Sequence, residues 1–134
     1  MRRAAWRRSA AAQGGFLTVQ FVAAVGLSLL LLVMLANVIV VQYGGGVVRA
    51  AVDEGVRRGS RAGPAAVAEC QERAAAVVAD LLGGGMGVGV APITCADLGD
   101  RVTAETAASF PAWLPGLPDW SLTARAVAVR EEEP

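Results

Sequence analysis

The sequence predicts an α+β protein with an N-terminal transmembrane helix extended by an amphipathic helix, and a second helix packed on a small three-stranded antiparallel sheet. Three observations predict this class. Residues 16–41 are apolar and uncharged, helical periodicity continues as far as residue 82, and segments of alternating and β-branched residues occupy most of the remainder. The expected parts are a basic cytoplasmic leader (1–15), a transmembrane helix (16–41), an extracytoplasmic helical stalk (42–62), a small extracytoplasmic α+β domain (63–130) and an acidic tail (131–134).

The apolar run FLTVQFVAAVGLSLLLLVMLANVIVV predicts a single membrane span. Gln20 and Asn37 are its only strongly polar residues. As a helix, its 26 residues would be about 39 Å long, whereas about 20 apolar residues suffice to cross the hydrocarbon core of a bilayer. A buried helix of a soluble protein is disfavoured, because a chain of 134 residues has too small a core to enclose it.

The leader determines the predicted orientation. Residues 1–15 carry four arginines and no acidic residue, whereas the chain after Val41 carries eight arginines and twelve acidic residues. Because arginines close to a span stay in the cytoplasm, we expect a single-pass protein of the cytoplasmic membrane with its C-terminal domain outside. A cleaved secretory signal peptide is the alternative. The apolar run exceeds the usual h-region of about 7–15 residues, however, and no A-x-A-like site follows it directly.

The junction between the leader and the span carries a short pattern. Gly14 and Gly15 directly precede Phe16, and Gln20 is the fifth residue of the apolar run. The stretch GGFLTVQF resembles the class III signal of type IV pilins and pseudopilins. It looks most like the TadE-like branch, whose members usually read G-x-x-x-V-E-F at this place. The resemblance implies that a prepilin peptidase cuts between Gly15 and Phe16 and leaves the span in place.

Gln20 departs from the family pattern, which usually has glutamate at this position. The resemblance implies that such a carboxylate would meet the positive N-terminus of a neighbouring subunit in a filament. An amide accepts a hydrogen bond but lacks the charge that makes the bond strong. Gln20 therefore argues against a major, self-polymerising pilin more than against cleavage. A tolerated polar residue near the membrane interface is the other interpretation.

The stalk is predicted to begin with a weak point and to continue as an amphipathic helix. Each glycine of Gly44-Gly45-Gly46 costs about 1 kcal/mol relative to alanine in a helix, which predicts a swivel unless packing carries the helix through. The following VVRAAVDEGVRRGSRAG has helical spacing and resembles the R-A-A-x-(D/E)-G run that follows the TadE-like anchor. It has a narrow face that could pack against another helix, formed by Val48, Ala51, Val52 and Gly55 and bordered by Val47.

A second helix and three strands complete the predicted fold. The helix extends from Pro64 to about Leu82, with an expected i,i+4 ion pair between Glu69 and Arg73, and the glycines from residue 83 onward end it. Its apolar residues follow the helical period: Val67, Cys70, Ala74, Val77, Val78, Leu81 and Leu82. Pro92 indicates an edge or a bulge in the first strand. The predicted strands are 87–95, 101–107 and 122–130.

A loop rich in proline and aromatic residues lies between the second and third predicted strands. Its sequence, FPAWLPGLPDW (110–120), contains three prolines and a glycine, which exclude regular structure. Either the loop folds its aromatic residues over the sheet, or it forms a contact surface for a partner subunit or for the outer membrane leaflet. The large apolar residues concerned are Phe110, Trp113, Leu114, Leu117 and Trp120.

Cys70 and Cys95 are the only cysteines, and both lie on the predicted outer side of the membrane. In an oxidising compartment two cysteines suggest a disulfide, which would tie the second helix to the first strand. The closed loop of about 25 residues would stabilise the fold by roughly 3 kcal/mol. A metal site would need more ligands, and the chain contains no histidine and no C-x-x-C motif.

Composition argues against several classes of function. Without histidine, Ser-His and Cys-His catalysis is not available, and the glycine-rich GGGMGVG (83–89) has no lysine and leads into a predicted strand. The region after the span is net acidic and offers no basic face to a nucleic acid. We therefore expect no enzymatic activity, no cofactor, no metal ion, no nucleic-acid partner and no small-molecule substrate.

The family resemblance is strongest over residues 14–62. It implies a structural or assembly subunit of a tight-adherence (Flp-type) pilus or a related secretion apparatus, in a minor or initiating role. The implied partners are the membrane, a prepilin peptidase, and other pilin-like subunits or the assembly platform. Two alternatives stay open. One is an uncleaved, single-span, signal-anchored envelope protein whose outer domain binds a partner, and the other is a secreted soluble domain.

Overall fold

The computed structural model is of the predicted α+β class, and it describes residues 3–83 and 88–130, with side chains from residue 15 onward. The acidic tail and Gly87, the first residue of the first predicted strand, lie outside the described residues. The chain separates into two compact units, residues 1–36 and 37–134. In chain order the elements are α1 (Arg3–Ser60), a 3-10 turn (Gly63–Ala65), α2 (Ala66–Leu82), β1 (Gly89–Val90), β2 (Thr94–Asp97), β3 (Arg101–Phe110) and β4 (Trp120–Val129).

The first unit contains the basic leader part of α1 and most of the apolar run. Every residue from 15 to 35 is exposed, including large side chains such as Leu27 and Leu31. Within the described residues, α1 is the single helix that is long and apolar enough to cross a membrane, and only 6% of its most apolar window is buried. The core helix of a soluble protein would be mostly buried.

The second unit has two layers, with the end of α1 and the whole of α2 packed on one face of the sheet. The narrow face predicted for α1 (Val48, Ala51, Val52, Gly55) is buried. Val56, which was not predicted to belong to it, extends this face. From the sheet, β3 contributes Val102, Ala104, Thr106, Ala108 and Phe110 at alternate positions, as strand periodicity requires. The core cluster contains Val47, Val48, Val52, Val56, Ala66, Cys70, Leu82, Cys95, Val102, Ala104, Ala108, Phe110 and Ala124.

The three consecutive glycines of the stalk lie inside an uninterrupted helix. A Cβ atom at Gly44 would overlap the ring of Phe110, and one at Gly45 would lie 3.2 Å from Leu122 Cδ2. These two glycines therefore allow the sheet to approach the helix backbone, and burial of Phe110 and Leu122 offsets their low helix propensity. The sequence left two outcomes open at 44–46, a swivel or a helix carried through by packing, and the structure has the continuous helix.

The helix that packs against the narrow face of α1 is α2. A Cβ atom at Gly55 would lie 2.9 Å from both Ala74 Cβ and the Cys70 carbonyl oxygen, and one at Gly59 would lie 2.7 Å from the carbonyl oxygen of Ala66. Only glycine leaves room for α2 at these two positions. The Cys70–Cys95 disulfide, with an S–S distance of 2.02 Å, then joins α2 to β2.

The ion pairs between these helices differ from the one predicted. Arg58 Nε lies 2.9 Å from Glu69 Oε2, and Arg73 Nε lies 3.2 Å from Glu54 Oε1. Glu69 and Arg73 thus each pair with a residue on α1, and the predicted i,i+4 pair within α2 is wrong. Close packing of the two helices brings an opposite charge on α1 within reach of each side chain.

The sheet has four strands, because the first predicted strand is divided in two. β3 is central, β4 pairs with its full length, and β1 and β2 pair with different parts of the other edge. The register changes between Val90, which pairs with Ala108, and Thr94, which pairs with Glu105, so that three residues oppose two. The bulge that Pro92 indicated is present, and buried Thr106 donates its hydroxyl hydrogen to the Ala91 carbonyl at 2.7 Å.

Candidate functional site

The residues of the leader–span junction lie on the surface of α1. Gly15, Phe16 and Gln20 are exposed, and no heavy atom outside the helix backbone lies near the position that a Cβ would take at Gly15. The peptide bond between Gly15 and Phe16 lies inside the helix, which a peptidase would have to unwind locally. Glycine is a poor helix former, so Gly14 and Gly15 lower the cost of that opening by about 1 kcal/mol each relative to alanine.

The apolar residues of the 110–120 segment fall into two structural groups. Phe110 is the last residue of β3 and Trp120 is the first of β4, and the two are cross-strand partners. The prediction that all of 110–120 is irregular is therefore wrong at its ends, and the loop proper comprises residues 111–119. Phe110 is 1% exposed, since it packs against Gly44 at the base of this loop.

The loop is held by local hydrogen bonds. The backbone N–H of Ala112 donates to Asp119 Oδ1 at 3.1 Å, and the N–H of Leu117 donates to the Leu114 carbonyl at 3.4 Å. Gly116 has a φ of +89°, a left-handed conformation that glycine adopts without strain. An ordered loop of this kind presents its side chains in a defined arrangement.

Most of the large side chains in this region do not cover the sheet. Trp113 is 47% exposed, Leu117 50% and Trp120 53%, whereas Leu114 is half-buried. The interpretation that the loop folds its aromatic residues over the sheet holds for Phe110 and is wrong for the two tryptophans. Three large apolar side chains at this end of the sheet are thus exposed, and we call this set the loop patch (Trp113, Leu117, Trp120).

The loop reaches the last turns of the apolar run. Asn37 is buried, and its Nδ2 donates a hydrogen bond to the carbonyl oxygen of Pro111 at 3.4 Å. Val38 and Ile39 beside it are exposed, as is the side chain of Tyr43. Sequence reasoning noted Asn37 only as a polar residue of the span. The available signal was its place four residues before the end of an otherwise apolar run.

The opposite end of the second unit is charged. Arg130, just after β4, donates hydrogen bonds to Asp97 and, at 3.0 Å, to the carbonyl oxygen of Gly63. In the adjacent turn, the Arg101 side chain donates to Asp100, and this hydrogen bond lowers the pKa of the Asp100 carboxyl below its ordinary value. The second unit therefore has an apolar end at the 111–119 loop and an ion-paired end at the β2–β3 turn.

We compared the chain with known proteins. No family model, curated protein or solved structure matches it. The assignment of a function therefore depends on the residues themselves. Within 15–83 and 88–130, no three His, Cys, Asp or Glu side chains are grouped so as to hold a metal ion. Arg58 and Glu69, which form an ion pair, line two shallow depressions between α1 and α2. Arg61 also lines the first, and the second is lined in addition by Glu72 and by the Glu54–Arg73 ion pair. The junction on α1 and the loop patch are thus the two candidate sites.

Proposed function

We propose that this protein is a TadE-like pseudopilin, a structural or assembly subunit of a tight-adherence (Flp-type) pilus or a related secretion apparatus. The observation that carries the proposal is the junction, where Gly14 and Gly15 separate a basic leader from an apolar helix beginning at Phe16. A prepilin peptidase would cut between Gly15 and Phe16 from the cytoplasmic side. The four arginines of the leader hold residues 1–15 on that side.

The first half of α1 supports a role in assembly within the membrane. Its residues from 15 to 35 are exposed along their whole length. In a bilayer such a surface is available to lipid and to the helices of other pilin-like subunits or of the assembly platform. Gln20 can accept a hydrogen bond from a neighbouring subunit, but without a carboxylate it favours a minor or initiating role over a major pilin.

The proposal is tested by determining the mature N-terminus of the full chain, extracted from membranes, by intact mass and N-terminal sequencing. The chain is produced in cells with and without a prepilin peptidase. The proposal expects Phe16 as the first residue only when the peptidase is present. A chain that retains Met1 under both conditions would overturn it.

Two glycine variants separate processing at this bond from unspecific proteolysis. Gly15→Leu places a large side chain at the bond to be cut and should abolish the product that begins at Phe16. Gly14→Ala changes the neighbouring glycine conservatively and should retain that product. Equal processing of both variants would indicate a different protease.

Gln20 favours one alternative, an uncleaved single-span protein whose outer domain binds a partner of the envelope. Retention of Met1 together with an oxidised Cys70–Cys95 pair would support this alternative, because disulfides persist outside the reducing cytoplasm. The oxidation state is read by alkylating free thiols before and after reduction. A chain that begins beyond Tyr43 would instead support a secreted domain.

A further inference from the structure

We propose that the loop patch (Trp113, Leu117, Trp120) is a membrane-contact site that inserts into the headgroup layer of the outer leaflet. Its ligand is the lipid surface itself. The inference rests on the membrane span that the proposed function also requires, but it does not depend on cleavage or on pilus assembly. Four observations on the second unit carry it.

The first observation is that the hydrogen bond to Asn37 fixes how deep the loop lies relative to the membrane. The 26-residue apolar run is about 39 Å long as a helix, which exceeds a hydrocarbon core of about 30 Å by about 9 Å. If the excess is shared between both ends, the outer boundary of the hydrocarbon lies about three residues before Val41. Asn37 is therefore at this boundary, and its hydrogen bond to the Pro111 carbonyl holds the start of the loop there.

The second observation is that the Asn37 amide needs a partner at this depth. A polar group left without a hydrogen bond in hydrocarbon costs several kcal/mol. The Asn37 side chain is buried, and Pro111 accepts its hydrogen bond. The loop thus covers a polar residue of α1 that would otherwise face lipid.

The third observation is that prolines reduce the number of backbone donors in the loop. Of its nine residues, Pro111, Pro115 and Pro118 have no N–H group. The N–H groups of Ala112 and Leu117 are hydrogen-bonded within the loop. Irregular backbone is costly near lipid mainly because of unpaired donors, and the prolines remove a third of them.

The fourth observation is the chemistry of the exposed side chains. Tryptophan is enriched at membrane–water interfaces, where its ring contacts the acyl chains and its N–H stays among the headgroups. Trp113, Leu117 and Trp120 are each about half exposed. Asp119 is the only charged residue of the loop, and its carboxylate keeps the loop in the headgroup layer and out of the hydrocarbon.

The test measures the depth of single tryptophans in the full chain. The protein is reconstituted into vesicles of phosphatidylethanolamine and phosphatidylglycerol whose acyl chains are brominated near the glycerol backbone. Trp6→Phe combined with Trp120→Phe leaves Trp113 as the only fluorophore, and Trp6→Phe combined with Trp113→Phe leaves Trp120. Each remaining tryptophan should lose about half of its emission to the brominated lipid and be protected from iodide in the water phase.

Two further probes provide internal standards in a background without native tryptophan. Leu29→Trp lies near the middle of the apolar run and reports insertion of the span. Leu98→Trp lies in the β2–β3 turn, at the end of the second unit opposite to the loop patch. Leu98 is 60% exposed, which is more than Leu117. This second probe should be quenched by iodide and not by lipid.

The outcomes separate failure of the site from failure of the span. If Trp113 and Trp120 behave like the Leu98→Trp probe while Leu29→Trp is quenched by a mid-chain brominated lipid, the patch faces water or protein and the proposal is overturned. If Leu29→Trp is also unquenched, the proposal fails because the chain does not span the membrane, and the proposed function fails with it.

A matched pair of charge variants adds a second readout. Leu117→Glu should expose Trp113 to iodide, because a carboxylate disfavours insertion of the loop, whereas Leu98→Glu should leave Trp113 unchanged. Circular dichroism spectra and unfolding midpoints equal to those of the unaltered chain establish that both variants have folded. Equal iodide quenching of Trp113 in the two variants would contradict the proposal.

Discussion

The two halves of α1 differ in how far their side chains are buried, although one continuous helix contains both. Residues 15–35 are leucine-rich and exposed throughout, whereas Val48, Ala51, Val52 and Val56 of the second half are completely buried. Among the described residues, the more hydrophobic half of α1 is therefore the more exposed one. Large apolar residues on every side of a helix indicate an apolar solvent, and a stripe of small and β-branched residues indicates a tightly packed neighbour.

Glycine shows the same contrast with a single residue type. Gly26 in the first half and Gly46 in the second have open space where a Cβ would be, whereas Gly55 and Gly59 contact α2. The same change, glycine to alanine, should therefore have opposite effects at different positions along α1.

The largest effect is expected for Gly55→Ala and Gly59→Ala. The new methyl group would meet backbone carbonyl oxygens of α2 at less than 3.0 Å, and the helices would have to separate. Overpacking of this kind costs about 1–3 kcal/mol. The measurement is denaturant unfolding of the detergent-solubilised full chain, followed by circular dichroism. Gly26→Ala is the control, and unfolding of Gly59→Ala at the wild-type midpoint would contradict the close α1–α2 contact.

Truncation of a buried valine should have the next largest effect. Val52→Ala removes two methyl groups from the core and should lower the free energy of unfolding by about 1.6 kcal/mol or somewhat more if a cavity remains. Leu31→Ala removes a larger group from the first half and should leave the unfolding of the second unit unchanged. If Leu31→Ala destabilised that unit as much as Val52→Ala, the two halves would not be distinct.

Two adjacent glycines allow a finer comparison. Gly44→Ala pushes against the buried Phe110 ring and should destabilise the second unit by about 1 kcal/mol, since overpacking outweighs the gain in helix propensity. Gly46→Ala has no such neighbour and should stabilise the helix by up to about 1 kcal/mol. Unfolding midpoints that shift in the same direction for both variants would contradict the packing of β3 on the stalk.

The smallest effect is expected for the ion pairs between the two helices. Arg58 and Glu69 are partly exposed, so their interaction should contribute no more than about 1 kcal/mol at low salt and less at high salt. A double-mutant cycle with Arg58→Ala and Glu69→Ala measures it. A coupling energy well above that value, or one that salt does not reduce, would show that the pair is more shielded from water than its exposure indicates.

The sequence was sufficient to predict the features that depend on composition or on residues close together in the chain. Composition alone located the apolar half of α1, helical period identified Val48, Ala51 and Val52 as a packing face, and two cysteines were enough to predict their bond. Alternating residues predicted a strand at 101–107, which lies within β3. Each of these inferences needs only neighbouring residues or a count.

The sequence was insufficient to predict the features that depend on contacts between residues far apart in the chain. The continuity of α1 at Gly44 depends on Phe110, and the partner of Glu69 is on another helix. Asn37 finds its hydrogen-bond acceptor 74 residues away. Residue type left two interpretations of the loop open, covering the sheet or forming a contact surface, and it could not predict that Trp113 and Trp120 are about half exposed while Phe110 is buried.

The position of the disulfide has a consequence for its reduction. Cys70 is fully buried, and α1 lies directly over it, since a Cβ at Gly59 would be 3.0 Å from Cys70 Cβ. Thiol–disulfide exchange begins when a thiolate attacks one sulfur atom, so its rate depends on access to that atom. With α1 docked on α2 the Cys70 sulfur is covered, and attack there requires α1 to move away. The rate of reduction of the native protein is therefore expected to report how often the stalk opens.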